Sequence, residues 1–284
     1  MANPSYNIKD VYKEINTIDG DFGVIIQNGK LSEFAKAPIK KYCYYGNTNG
    51  YGICLSYLQS ASSGVINLLK SLEKYGLEYD KLAEYAILFL SYKLNQNSDY
   101  KSTKLNEFYT KRIGDKHFKE KIKDSNSMTY KDIIDKKKDL MNMNNNERSK
   151  FNGLFSILFS FYNGINKSNL DCNKCSKDAN EFVKNFKELN DDSNINGNAS
   201  YSKLLFTLSD DYNNLKNKCA DFPPLPKVKT PPSKLIPVLS TFSVIPVFLG
   251  IAYKYSLFGV DKLFQRQYLR KKLKKVKKKL KLNI

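Results

Sequence analysis

LSYLQSASSGVINLLKSLEKYG (Leu55–Gly76) is followed, after two residues, by YDKLAEYAILFLSYKLNQ (Tyr79–Gln96). In the first run Leu58, Ala61, Val65, Leu68, Leu69, Leu72 and Tyr75 recur at intervals of three and four, the spacing of one buried face on an amphipathic helix. Gly76 follows as a residue that can end it. The second run reads as a helix capped by Asp80, with Leu82, Tyr85, Ala86, Phe89 and Tyr92 on one stripe. Two such helices joined by a short turn predict an antiparallel hairpin at the core of an all-α domain.

Helical spacing continues outward from this pair. It predicts helices over Ser102–Ile113, Thr129–Met143, Glu147–Tyr162, Asp178–Glu188 and Tyr201–Cys219, the Thr129–Met143 segment having a Lys-rich face with few apolar partners. GLFSILFSFYNGI (Gly153–Ile165) is apolar but too short to span a bilayer, and reads as a core helix. Leu189–Ser200 reads as a polar loop. DFPPLPKVKTPPS (Asp221–Ser233) carries five prolines, which favour an extended stalk.

The run LIPVLSTFSVIPVFLGIAY (Leu235–Tyr253) has no charged residue. As a helix it would be roughly 28 Å long, against about 30 Å for the hydrocarbon core of a bilayer, so it predicts one transmembrane helix. Pro237, Pro246 and Gly250 would weaken a helix in water and are better tolerated in a membrane, while Lys234 and Lys254 bracket the run where their amines can reach headgroups. From Lys262 to the end there are eleven Lys or Arg and no acidic residue. Basic residues beside a span stay on the cytosolic side, which makes the N-terminal part a non-cytosolic ectodomain. The domain reading is therefore an ectodomain over 1–220, a Pro-rich linker over 221–234, the span over 235–253 and a basic cytoplasmic tail over 254–284.

Arg266, Arg270, Lys271, Lys272, Lys274, Lys275, Lys277, Lys278 and Lys279 alternate with Tyr268, Leu269, Leu273, Val276 and Leu280 as in a helix lying on anionic inner-leaflet lipid. Of the net charge of +19, residues 1–261 hold only +8, spread among many acidic and basic groups. The basic cluster adjoins the span and, Tyr268 apart, lacks interleaved stacking aromatics, so a nucleic-acid partner is not expected. With 41% apolar residues, 20 Tyr and 17 Phe, the ectodomain has the side chains to bury a core. Met1–Lys30 has no continuous apolar stretch after a basic start, so either the membrane segment itself serves as the targeting signal or an unrecognised route is used.

Cys43, Cys54, Cys172, Cys175 and Cys219 all precede the span, a distribution that fits an oxidising compartment. YCYYGNTNGYGIC can turn tightly enough to bridge Cys43 to Cys54, leaving Cys219 to pair with either Cys172 or Cys175 and one thiol over. Cys172 and Cys175 also have the spacing of a zinc knuckle, but a structural zinc needs four ligands and only Cys219 remains nearby, so no metal or cofactor is expected. His117 is the one histidine and reads as a solvated surface residue. No nucleophile elbow, phosphate loop or paired-histidine zinc motif is present, so an enzyme is not expected. Asn166 and Asn198 head Asn-x-Ser sequons that would accept a glycan if the route allows.

Three blocks carry a resemblance: LEKYGLEYDKLAEYAILFLSYKLNQ (Leu72–Gln96), CNKCSKDANEFVKNFKELN (Cys172–Asn190) and SKLIPVLSTFSVIPVFLGIAYKYSLFGVDKLFQRQYLRKKLKK (Ser233–Lys275). Together they resemble the Plasmodium interspersed repeat (PIR) family, and most closely its rodent-malaria CIR, BIR and YIR branch. The resemblance implies a variant antigen of a blood-stage parasite, exported toward the infected red cell or the vacuole membrane, with a helical ectodomain, one span and a basic tail. Antibodies or a host receptor are the partners it implies, and no catalytic residue comes with it. Many members have a cysteine near the start, whereas 1–37 has none. The expected activity is display for immune evasion or adhesion through the exposed loops Asn97–Lys123 and Leu189–Ser200. The alternative is a membrane-tethered scaffold at an internal membrane, working through its tail.

Overall fold

Apolar spacing builds the helices, and one of them is apolar on almost every side. In the computed structural model, which describes residues 6–46, 52–123, 127–168 and 170–230, helix α4 (Tyr79–Gln96) buries twelve of its eighteen residues. A helix that is apolar nearly all round belongs inside a bundle, and the other helices build that bundle. They are α1 (Ile8–Asp19), α2 (Ala37–Lys40), α3 (Tyr57–Leu72), α5 (Leu105–Arg112), α6 (Tyr130–Asp135), α7 (Asn145–Asn166), α8 (Ser176–Asp191), α9 (Ser193–Asn196) and α10 (Ala199–Lys216).

The predicted α3/α4 hairpin is present. Ser56 caps α3 by accepting from the Gln59 amide, and after a 3-10 turn over Glu73–Tyr75 the chain ends at Gly76 with φ +63°, a left-handed conformation that favours glycine. Asp80 is not the cap of α4. Glu78 holds that position without a side-chain hydrogen bond, and Asp80 lies in the first turn facing Lys137 (3.1 Å) and Lys203 (3.4 Å).

Two other expectations differ from the structure. The segment Thr129–Met143 breaks after α6 into a 3-10 turn over Lys138–Asn142. At the break Lys137 turns inward, where its ammonium meets the buried Glu84 carboxylate at 2.6 Å, and Leu140 and Met141 beyond it are buried in the 3-10 turn. Glu84 in turn accepts from Thr207 on α10 at 2.7 Å. The polar run Leu189–Ser200 is mostly helical, because Asp192 caps α9 and Ile195 is buried beneath it.

The N-terminal segment departs from the all-helical expectation. Strands β1 (Phe22–Gln27) and β2 (Lys30–Ala35) form an antiparallel pair closed by Asn28 (φ +52°) and Gly29 (φ +73°). Asn-Gly with both residues left-handed is the turn that suits the natural twist of a two-residue hairpin. The strands are anchored at their base, where Phe22 packs on α3. A Cβ on Gly64 would lie 2.5 Å from the Phe22 ring, so only glycine admits it.

The first compact unit runs from residue 1 to 231 and so takes in most of the Pro-rich segment. Residues 223–230 form neither helix nor strand, and they lie against the helices: Tyr212 donates to the Pro223 carbonyl at 3.0 Å, and Leu225 and Val228 pack on the core. The predicted span and basic tail lie outside the described residues. No helix among those described is long and apolar enough to cross a membrane.

Within the bundle sits a polar group. Asp211 of α10 is wholly buried, and its carboxyl accepts from Tyr12 of α1 (2.9 Å) and Tyr85 of α4 (2.9 Å), while Tyr162 of α7 donates to its carbonyl (2.7 Å). Burial pushes this carboxyl up to about 7, against the downward pull of the two tyrosine hydroxyls. The folded chain therefore keeps its proton to a higher pH than the unfolded chain, whose carboxyl ionises near 3.8. Stability contributed by this group falls as pH rises from about 4 to about 7, by no more than about 1.4 kcal/mol per pH unit, and is level above that window. Asp211→Asn cannot ionise, so its stability relative to the parent chain should rise across the window in denaturant titrations. A difference that does not change with pH would refute the assignment.

Candidate recognition surface

Among the described residues, the exposed large apolar side chains gather in two N-terminal features, with Phe206 the exception. On the hairpin, Ile26 and Leu31 are register partners and so share one face, at 79% and 48% exposure, while Ile25 lies on the other face. In the loop closed by the Cys43–Cys54 disulfide, Tyr45 pairs with Ile53 in an isolated bridge, and both are exposed together with Leu55.

Each feature is held rigidly at its base. Lys93 of α4 is buried, and its ammonium donates to the Phe22 carbonyl (2.6 Å), the Asp19 carbonyl (3.1 Å) and the Asp19 carboxylate (2.8 Å), and lies 4.3 Å from the Phe22 ring centroid. One lysine thus fastens the end of α1 and the start of β1 to α4. Desolvation lowers its pKa and the Asp19 carboxylate opposes that shift. Asn97, just past α4, donates to Glu33 on β2 at 3.2 Å. In the disulfide loop the Gly52 amide donates to the Lys40 carbonyl at 2.9 Å, and a Cβ on Gly52 would lie 2.1 Å from the Cys43 carbonyl oxygen, so the backbones can approach only because this residue is glycine.

The β-hairpin is built on one end of the helical hairpin. Lys93 and Asn97 mark the C-terminal end of α4, and Tyr57, the first residue of α3, donates to the Lys93 carbonyl at 2.7 Å. Leu55 and Ile53 lead directly into α3. The C-terminal side of the disulfide loop thus enters at this end, whereas its other side reaches along α3 to Lys70, whose ammonium stands beside the Tyr42 ring.

His117 is not a solvated residue. Its ring stacks on Tyr44 (centroids 5.5 Å) and meets Tyr42 edge-on (5.1 Å), and its Nδ1 bonds Glu120. Glu120 also pairs with Lys70, whose ammonium stands 4.6 Å from the Tyr42 ring centroid. This cluster ties the chain after α5 to the disulfide loop. The segment Asn97–Lys123 is itself well anchored: Leu105, Phe108, Phe118 and Ile122 are buried, and the Arg148 guanidinium donates to the Lys101 and Thr103 carbonyls.

The second disulfide joins Cys172 to Cys219, and Cys175 remains a free, half-buried thiol whose pKa is raised by burial and by the Asp178 and Asp171 carboxylates. Among the described residues no three His, Cys, Asp or Glu side chains form a cluster that could hold a metal ion. Asn166 donates to the Lys9 carbonyl at 3.3 Å, and Asn198 caps α10 by accepting from the Ser200 and Tyr201 amides. The basic positions Arg266 to Lys279 lie outside the described residues.

Sequence reasoning passed over Ile25, Ile26 and Leu31. The signal was there in Asn28-Gly29 between two β-branched or apolar runs. Burial declines along β1 from the anchored Phe22 to the exposed tip, which gives no clean alternation to read.

The sequence matches the family model described as Plasmodium variant antigen protein Cir/Yir/Bir over residues 12–254. The chain belongs to this family. A solved structure titled "Structure of a Plasmodium PIR protein ectodomain" is similar at 34% identity and a TM-score of 0.56, covering 78% of this chain and 100% of that one. No curated protein matches it. This PIR family member should therefore present one reactive thiol: maleimide added to the folded, unreduced chain is expected to label Cys175 alone, and peptide mapping that found label on Cys43, Cys54, Cys172 or Cys219 would contradict the pairing.

Proposed function

We propose that this Plasmodium variant antigen is displayed on a membrane of the infected red cell, where it serves immune evasion or adhesion to a host receptor. The observation that carries the reading is the gathering of exposed apolar side chains on a hairpin and a disulfide loop that are each anchored to the helical body. Monomeric surfaces seldom keep adjoining apolar groups exposed unless something binds them. Anchored bases keep those groups in place and lower the ordering cost of an encounter. Two disulfides suit an oxidising, non-cytosolic compartment. The uncharged run Leu235–Tyr253 and the basic segment after it supply the membrane attachment and its direction.

The helical body offers a scaffold rather than a reaction centre. The buried groups Asp211, Glu84, Lys93 and Lys137 are engaged in holding elements of the fold together. The family is one of variant antigens.

Polar substitution of the tip separates recognition from folding. Ile25→Ser, Ile26→Ser and Leu31→Ser together remove apolar side chains that are about half exposed or more, so helical content and melting temperature should change little. Binding of antibodies raised against the folded ectodomain, or of red-cell surface material, should fall at least about ten-fold, the loss expected when central apolar contacts are removed. Unchanged recognition by a chain that melts normally would count against this surface.

A further inference from the structure

At the opposite end of α4 lies a second surface. Residues 225–230 run as a strap, and Asn190, which is buried, grips it from both sides: its amide nitrogen donates to the Lys227 carbonyl (2.9 Å) and its amide oxygen accepts from the Lys229 backbone amide (2.7 Å). The Lys229 ammonium adds a pair with Asp191 at 2.6 Å. Between the strap, the first turns of α4 and the outer face of α10 is a groove of about 760 Å³. Lys203, Phe206 and Asp210 line it at intervals of three and four along α10, with Leu225, Lys227 and Thr230 opposite. Phe206 is 54% exposed.

Chain length limits what this groove can face. Thr230 lines it, and Leu235, where the uncharged run begins, is five residues on. Five residues reach at most about 18 Å when fully extended. The headgroup zone of a leaflet is about 5–7 Å thick, so a span starting at Leu235 keeps the Thr230 end within roughly 12 Å of the headgroups. An exposed phenylalanine between lysines is the side-chain set that settles at such a boundary, the ring among the upper acyl chains and the amines at the phosphates. Carboxylates at Asp210 and Glu78 lie in the same lining and suit a choline ammonium.

We propose that this groove is a membrane-contacting surface that seats zwitterionic phospholipid headgroups of the bilayer the protein spans, and that it fixes the orientation of the ectodomain. The inference rests on Leu235–Tyr253 being a membrane span. Its consequence is directional: α4 is about 27 Å long, so seating its N-terminal end on lipid turns the β-hairpin at its C-terminal end away from the bilayer.

The test uses the full chain in phosphatidylcholine vesicles carrying a nitroxide-headgroup lipid as quencher. A fluorophore is placed on Phe206→Cys, on Lys203→Cys as a second groove position, or on Ile26→Cys at the tip, each with Cys175→Ser. Quenching at 206 and 203 should exceed that at 26 by at least about two-fold, given a separation on the scale of a helix of this length. Equal quenching at both ends, or none in the groove, with the chain still resistant to alkaline carbonate extraction, overturns the proposal alone. Release by carbonate overturns the span and the proposal with it. Groove fluorescence that falls with protein density and ignores the nitroxide lipid assigns the groove to a second copy of the chain and also overturns it.

Discussion

The Asp211 carboxyl is buried within the bundle, with no cation bonded to it. A buried carboxyl is costly unless its oxygens are satisfied, and here Tyr12 and Tyr85 donate to it while Tyr162 donates to the backbone carbonyl of the same residue. Those tyrosines come from α1, α4 and α7, so helices near both ends of the described chain are joined at one point. Tyr12 and Tyr162 also stack, 4.3 Å between centroids and 9° apart. Burial, and then the Asp211 charge, hold the Tyr12 and Tyr85 hydroxyls well above their usual range, so both stay donors at any physiological pH. With the middle fixed this way, α4 runs through the core and positions a different surface at each end.

Two buried lysines extend the arrangement to those ends. Lys137 meets Glu84 near the start of α4 and so closes the α6 side of the bundle against α10 through Thr207. Lys93 does the corresponding task near the end of α4, drawing together Asp19 and Phe22. Removing either amine would leave carboxylate or carbonyl oxygens buried without a donor, which generally costs more than the pair contributes. The β-hairpin depends on this more than on its own strands, since an isolated two-stranded pair is marginal in water.

The helical core was legible because periodicity is strongest where one face is buried, and Leu58 to Tyr75 show it plainly. α4 was recognised as a helix, but its Ala86-Ile87-Leu88-Phe89-Leu90 run also marks it as the central one, a point that a single stripe of positions conceals. Long-range polar contacts were not legible. Nothing local in DDYNN announces that Asp211 pairs with a tyrosine 199 positions away, nor does a lysine among lysines at 136–138 announce that Lys137 turns inward. His117 looked solvated because its neighbours in sequence are polar, whereas its neighbours in space are Tyr42 and Tyr44. The hairpin tip could have been found from Asn28-Gly29, and the choice of Cys172 over Cys175 for Cys219 could not, because a spacing of three residues gives both the same reach.

Display on the outside of the infected cell is the claim on which the functional account turns, and protease accessibility on intact infected red cells tests it most directly, with ectodomain and tail peptides followed separately by mass spectrometry. The account predicts loss of ectodomain peptides, beginning at exposed segments such as the hairpin tip, while tail peptides from 262–284 stay protected. Full protection of the ectodomain until the red cell is permeabilised would contradict it and place the protein on an internal membrane.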